Sequence, residues 1–316
     1  MKGNEKIMIN ELVVGENVRS QVFYCTNKTS GVSTTGNTYY SVTLQDKTGT
    51  IEGKIWEINE SIAEFNAKNF IMVDGTVTSY KEQPQLKITR VTVVDVDSVN
   101  IADYCPISTH NIEEMWERLQ KHIDSIQNEW YKELLNRLFT GEFLDTFKKV
   151  SAAKVVHHAF VGGLLEHTLA VTDICDQLAE NYPKINRDLL LTAAICHDIG
   201  KTKEIACFPD NDYTDDGYLL GHIYMGTEMV DSIAKEIPDF PDMFIKQLKH
   251  CILAHHGAKE YGSPVNPSLI EALALSFADD TDAKLRRFSD LVDETSYNWS
   301  EKSDFFLNTR FRRTMN

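Results

Sequence analysis

From Val18 to Val96 the chain alternates between apolar and polar positions in short runs rich in β-branched and aromatic residues: Val18 to Tyr24, Tyr39 to Leu44, Thr50 to Trp56, Phe70 to Ser79 and Gln85 to Val94. Successive side chains of an extended strand point to opposite faces, so a period of two predicts strands. Asp46-Lys47-Thr48-Gly49 has the composition of a turn between the second and third runs, and Glu82-Gln83-Pro84 that of a turn between the last two. Ile58 to Asn66 reads as a short helical insertion between the third and fourth. Five strands with a helix after the third is the order of an OB-fold barrel.

Beyond Asp95 the period changes. A linker, Asp97 to His110, leads into segments whose apolar residues recur every three or four positions, the first carrying Ile112, Met115, Trp116, Leu119 and Ile123 with Ser108 or Thr109 placed to cap it. Further helices are predicted at 129–140, 142–149, 163–180, 187–198, 222–236, 241–255 and 268–280. The expected fold is therefore multidomain: an N-terminal all-β OB-fold barrel over 1–97, a linker and leading helices over 98–150, and an all-α helical bundle over 151–316. A chain of 316 residues has room for two cores of this kind. Neither an internal repeat nor a low-complexity segment interrupts them.

Composition narrows the partners. No apolar run approaches the ~20 residues that span a bilayer, and Met1 to Asn10 is polar and mixed in charge, unlike a signal peptide, so a cytoplasmic protein without a membrane partner is expected. Six cysteines are scattered with no Cys-x-x-Cys pair, which indicates neither a zinc ribbon nor a disulfide framework. The formal charge of −15 divides unevenly, −2 over residues 1–100 and −13 over the rest. A protein that holds nucleic acid by bulk phosphate attraction would not be so acidic.

Chemistry enters with His197-Asp198-Ile199-Gly200-Lys201. Leu190, Ala193 and Ala194 lie seven, four and three residues before His197, which places it on the apolar face of its helix, and Gly200 is a natural stop after it. His167 shares an apolar face with Leu164, Val171, Ile174 and Leu178, and His255 one with Leu248, Cys251 and Ile252. His256 is about 100° further round and stays open as a substrate contact or alternative ligand. His222 follows Gly221 at a predicted helix start. A single core histidine is more often satisfied by a hydrogen bond, but several in one apolar bundle are costly unless paired or bound to metal. Imidazole nitrogen and carboxylate oxygen suit a hydrolytic transition-metal site, and a carboxylate such as Asp198 can bridge two ions.

His167, His197-Asp198 and Asp279 fit the H…HD…D pattern of HD-domain metal-dependent phosphohydrolases. The longer stretches Gly162-Gly163-Leu164-Leu165-Glu166-His167-Thr168, His197 to Lys201, His255-His256-Gly257 and Asp282-Ala283-Lys284 resemble, in that order and over almost the whole chain, the YhaM-type 3′-5′ exoribonucleases, which join an OB-fold to an HD domain. The resemblance implies that His167, His197, Asp198 and Asp279 hold a first metal, that Asp198 bridges to a second bound through His222 and His255, and that Lys201 contacts the scissile phosphate. Read from the residues alone, Lys201 is as well explained as a lysine favoured by a helix C-terminus. Asp279, Asp280 and Asp282 compete for one ligand position, and Ser276 stands where the family commonly has a histidine.

The implied cofactors are two divalent metal ions, manganese first, with iron, cobalt, zinc or magnesium as alternatives. The implied activity is hydrolysis of single-stranded RNA, or of single-stranded DNA, from the 3′ end to nucleoside 5′-monophosphates. Its rivals are a phosphohydrolase of a small nucleotide and a non-catalytic OB-fold nucleic-acid-binding module; self-association is left open. Tyr39, Tyr40, Trp56 and Tyr80, with Phe23 and Tyr24, lie on or beside the predicted strands, where exposed rings stack bases and buried ones build core. Tyr39 and Tyr40 must face opposite ways. Lys81 among the barrel's lysines, and Arg310 in the basic tail Asn308 to Arg313, are candidates for the phosphate backbone.

Overall fold

The computed structural model describes residues 6–81, 83–105, 107–153, 160–208, 210–294, 298–300, 303 and 308–314. The chain divides into two compact units, Met1–Ile107 with Phe208–Asp210, and Ser108–Cys207 with Asn211–Asn316.

In the first unit, β1 (Asn17–Val32), β2 (Thr38–Asp46), β3 (Gly49–Ile55), β4 (Phe70–Tyr80) and β5 (Gln83–Val94) close into a barrel in the order β1-β2-β3-β5-β4. Closure rests on two features. A register shift between Cys25 and Asn27 lets one long β1 pair with β4 through its first half and with β2 through its second. A short parallel pairing, Glu52 to Lys54 against Gln85 to Lys87, then joins β3 to β5. Alternation delivers Val18, Phe23, Val42, Leu44, Ile51, Ile55, Val73, Val77, Leu86 and Ile88 to the interior, where Phe65 joins them.

Two local expectations are corrected. Residues 58–66 form no helix: Asn59 Oδ1 accepts the Ser61 N–H in a tight turn, Ile62 bridges to Val91, and the chain runs on without regular structure through buried Phe65. Backbone groups that would have closed a helical turn are spent on Val91, since Ala63 N–H donates to its carbonyl and Val91 N–H to that of Ser61. The last hairpin turns earlier than its composition suggests. Tyr80 pairs with Gln83, so Gln83 and Pro84 belong to β5, and Lys81 takes a left-handed φ of 49° in the turn; Glu82 lies outside the described residues.

The second unit is helical: α1 (Ile112–Ser125), α2 (Glu129–Leu138), α3 (Gly141–Phe147), α4 (Gly163–Asn181), α5 (Arg187–Cys196), α6 (Lys201–Glu204), α7 (Asp215–Leu220), α8 (His222–Glu236), α9 (Asp242–Leu253) and α10 (Ile270–Glu294). Every residue from Gly163 to Leu169 and from Leu189 to Cys196 is buried, which makes α4 and α5 the central pair. Leu119, Ile123, Leu134, Phe147, Leu248, Ile252 and Leu275 pack around them in one continuous core. α1 is capped by Asn111, whose Oδ1 accepts from Glu113 and Glu114 N–H, rather than by Ser108 or Thr109. The Ser108 hydroxyl is taken by Glu166. α10 runs to Glu294, well past the expected end at 280, and α6 and α7 are too short for periodicity to reveal. Among the described residues no helix is long and apolar enough to cross a membrane.

Gly75 marks where the barrel is tightest, because a Cβ there would lie 2.4 Å from the Lys87 carbonyl oxygen at the shift between Asp74 and Gly75. Gly75→Ala is expected to destabilise the barrel by roughly 2 kcal/mol through overpacking. Amide hydrogen exchange should speed up across β4 and β5 and stay unchanged in α4 and α5; unaltered exchange in the strands would contradict the account.

Candidate metal centre

Five places in the helical unit aim polar groups at one buried spot. His167 projects from the buried face of α4, and His197-Asp198 follows directly on α5. His222 opens α8, His255-His256 lies just past the end of α9, and Asp279 sits midway along α10. His167, His197, Asp198 and His255 are all 3% exposed or less, in an apolar core built mainly of leucine, isoleucine, valine and alanine. Such a cluster needs compensation for lost hydration.

The donor atoms form two groups. Single atoms of His167, His197 and Asp279 lie within 4.8 Å of one another, and so do single atoms of His222, His255 and His256. Asp198 stands between them. Its Oδ2 is 3.5 Å from His167 Nε2 and 3.3 Å from His197 Nε2, while its Oδ1 is 3.5 Å from His222 Nε2 and 3.7 Å from His255 Nε2. Asp279 Oδ1 completes the first group at 3.2 Å from His167 Nε2.

Each imidazole is fixed from behind, which is why Nε2 faces inward. His197 Nδ1 donates to the Ala194 carbonyl and His255 Nδ1 to that of Ile252, both at 2.7 Å. His167 Nδ1 meets Asp282 Oδ2 at 2.6 Å, and His222 Nδ1 meets Glu204 Oε1 at 2.9 Å. His256 Nδ1 is 3.1 Å from the Tyr261 carbonyl. Three inward atoms, Asp198 Oδ1, His222 Nε2 and His255 Nε2, are buried with no hydrogen-bond partner among the described residues. Buried lone pairs left unsatisfied are expensive, and an oxygen and two imidazole nitrogens facing one another make a donor set for a divalent cation. The residues present therefore fit a metal.

Electrostatics agree. Burial would raise the Asp198 carboxyl pKa, but Lys201 and His197 outweigh it and hold the group well below the usual carboxylate range. Burial lowers His255 well below the ordinary imidazole value, helped by His256 and His197, so its ring is neutral and ready to coordinate. His167 goes the other way: burial opposes its charge, yet the carboxylates of Asp279, Asp282 and Asp198 raise it to about 10.

Lys201 Nζ lies 2.7 Å from Asp198 Oδ2, and burial, which would lower its pKa, is overcome by that carboxylate. Of the three competing aspartates, Asp279 reaches the cluster, Asp282 stands behind His167, and Asp280 is exposed and paired with Lys284 at 2.8 Å. Gly200 is not the left-handed stop its position suggests, since its φ is −61°. It is glycine because a Cβ would lie 2.0 Å from the His222 carbonyl oxygen, so only a bare backbone lets the start of α8 come this close. Glu204 went unnoticed in the sequence, where a lone carboxylate in a four-residue helix carries no signal.

On the barrel, half-buried Tyr39 pairs with exposed Trp56 at a ring-centroid distance of 4.8 Å, and Lys54 Nζ lies 5.4 Å from the Tyr39 ring. Tyr80 is exposed, with Lys81 Nζ 5.5 Å from its ring. Tyr40, on the opposite face from Tyr39, packs edge-on against Phe65 beneath Lys28. Phe23 and Tyr24 are buried and offer no platform. In the helical unit, Arg310 donates from Nε to the Ser300 carbonyl, beside Phe311, which packs on Phe288.

Two family profiles match the chain, an HD domain over residues 164–284 and an OB-fold nucleic acid binding domain over 24–94. The chain is similar to the 3′-5′ exoribonuclease YhaM of Bacillus velezensis, 33% identical over 285 residues that make up 88% of each chain. It is similar too to that of Listeria monocytogenes, 32% identical over 283 residues covering 89% of this chain and 90% of the other. Among solved structures, the second OB-fold domain of replication protein A from Methanococcus maripaludis covers 30% of this chain and 99% of that one, at 19% identity and a TM-score of 0.22. That likeness adds nothing to the strand order already described.

The carboxylates of Asp279 and Asp282 favour the charged imidazolium of His167, so a cation taken up there has to displace a proton. Uptake of Mn²⁺ near pH ~8 is therefore expected to release about one proton, and affinity should climb as pH rises through the neutral range. Titration calorimetry in buffers of different ionisation enthalpy reads the proton count; heats independent of buffer would contradict it.

Proposed function

The chain belongs to the YhaM family of 3′-5′ exoribonucleases, and from that premise we propose how its metal-dependent hydrolysis is divided among its residues. Residues 1–97 form the unit that holds the nucleic acid, 98–150 link and lead into the bundle, and 151–316 carry the hydrolytic site. The observation that carries the reading is the division of Asp198, one oxygen toward each group of imidazoles, with Oδ1 and two facing nitrogens buried and unsatisfied. Two divalent ions match that division. His167, His197, Asp198 and Asp279 would hold one; Asp198, His222 and His255 would hold the other, with His256 beside them as an additional donor or a substrate contact. A set of imidazoles and carboxylates accepts manganese, iron, cobalt or zinc, with availability deciding among them, whereas magnesium prefers oxygen-rich sites; manganese is the ion we propose first.

When bound, such cations supply the charge that acidifies a water near neutral pH and neutralises phosphoryl oxygens. The protein's own groups do the rest. Asp198 stays ionised because Lys201 and the imidazoles favour its charge. Lys201, kept protonated by Asp198, presents a fixed cation to a phosphoryl oxygen as charge gathers there. Water attacks phosphorus, the bond to the 3′-oxygen of the preceding nucleotide breaks, and a nucleoside 5′-monophosphate leaves.

A single-stranded polymer is the proposed substrate because exposed Trp56, backed by half-buried Tyr39, and exposed Tyr80, with Lys54 and Lys81 beside them, combine stacking faces with positive charge on the barrel. Base-on-ring stacking tolerates any sequence and serves RNA and single-stranded DNA alike. Tyr40 contributes by supporting Phe65 and Lys28, and Arg310 supplies a further phosphate contact from the helical unit. A cytoplasmic setting, where RNA ends are available, accompanies this reading.

Asp198→Ala is expected to abolish release of mononucleotides from 5′-labelled single-stranded RNA supplied with Mn²⁺, and Lys201→Ala to lower kcat by roughly 10²- to 10³-fold. A ladder shortening from the 3′ end in the wild-type chain supports the reading, and turnover of free nucleotides without any ladder would sink it. Trp56→Ala should raise KM for the polymer by an amount worth ~1–3 kcal/mol while leaving kcat nearly unchanged, as loss of one stacking platform requires. An equal fall in kcat would place Trp56 in some other role.

A further inference from the structure

The four inward imidazoles nearest Asp198 are anchored in two unlike ways. His197 and His255 each follow a helix and donate Nδ1 to a carbonyl three residues back. That support comes free with the helix. His167 and His222 rely instead on carboxylates distant in sequence, Asp282 and Glu204, and each donor group contains one imidazole of each kind.

Glu204 has the larger task. His222 is the first residue of α8, so no preceding turn of its own helix fixes it, and its N–H is one of the donors a helix start leaves open. Glu204 Oε1 accepts that N–H at 3.0 Å and the ring Nδ1 at 2.9 Å, gripping backbone and side chain together. The Glu204 carbonyl in turn accepts the Thr214 N–H at 2.9 Å, and Gly217 lies so close to it that a Cβ would come within 2.4 Å. One buried residue thereby ties α6, which begins at Lys201, to the segment that runs through α7 and Gly221 into His222.

Building on the two-ion reading, we infer that Glu204 is the positioning residue of the His222, His255 and His256 pocket and Asp282 that of the His167, His197 and Asp279 pocket, each acting through the imidazole it holds. A carboxylate behind a histidine fixes its proton on Nδ1, orients the ring, and makes Nε2 a stronger donor; losing such a partner costs 10- to 100-fold in metal affinity. Because the two carboxylates serve different pockets, their losses should separate.

The test is Mn²⁺ binding to the full chain, followed through the paramagnetic resonance signal of the free ion. The wild-type chain is expected to bind two ions. Glu204→Ala should weaken one of them 10- to 100-fold and spare the other, and Asp282→Ala should weaken the one that Glu204→Ala spares. Glu204→Ala placed on top of His222→Ala should add nothing, whereas on top of His167→Ala it should still weaken the remaining ion. Glu204→Gln keeps the shape and one acceptor oxygen, and should show a smaller loss in the same pocket; it carries the test if the alanine variant does not fold. Equal weakening of both ions, no change in either, or a further loss beyond His222→Ala overturns the assignment. A wild-type chain that takes only one ion overturns the two-ion reading itself, a result distinct from any of these.

Discussion

Asp198 is a carboxylate 2% exposed at the middle of a leucine-rich bundle, and the placing of the groups around it follows from making that tolerable. An isolated charge there would be prohibitive, so a buried ammonium sits against one oxygen and imidazoles against both. Because a carboxylate has two oxygens pointing apart, the surrounding donors fall into two groups rather than one. The geometry of a single side chain thus goes with donors gathered in two groups from five separate segments.

Holding those segments is the work of the apolar core. α4 and α5 are buried on nearly every side, so the residues that project His167 and present His197-Asp198 have little freedom to shift. Gly200 lets the start of α8 approach to backbone contact, which brings His222 within reach of Asp198 Oδ1. Outer hydrogen bonds then turn the four rings nearest Asp198 so that Nε2 faces inward, two of them supplied by the local helix and two by carboxylates from elsewhere. Each of these rings is thereby held by the protein's own hydrogen bonds, the kind of support a preorganised site needs.

The chain's acidity and its nucleic-acid chemistry are reconciled by location. Most of the −15 formal charge lies beyond residue 100, while the barrel is close to neutral and places lysines beside exposed rings. Stacking is local and needs no long-range field, so a net negative charge does not exclude a nucleic-acid substrate.

Period-two alternation and the change to a helical period after Asp95 were sufficient to read the barrel and the bundle, because burying one face of each element forces that pattern on the sequence. The same phase argument put His167, His197 and His255 inside, and the structure finds them there. It failed where no period exists. The stretch 58–66 has too few residues to show one and spends its backbone groups on Val91, and α6, a single turn, is equally silent. Which of three aspartates faces the cluster, that Gly200 serves close approach rather than a helix stop, and that Glu204 grips His222 all depend on partners far away in the chain. Sequence by itself determined which residue types and faces are buried, since that is a local consequence of periodicity. Only the tertiary structure decided which donors share a pocket, since distances between segments are set by packing and no local pattern encodes them.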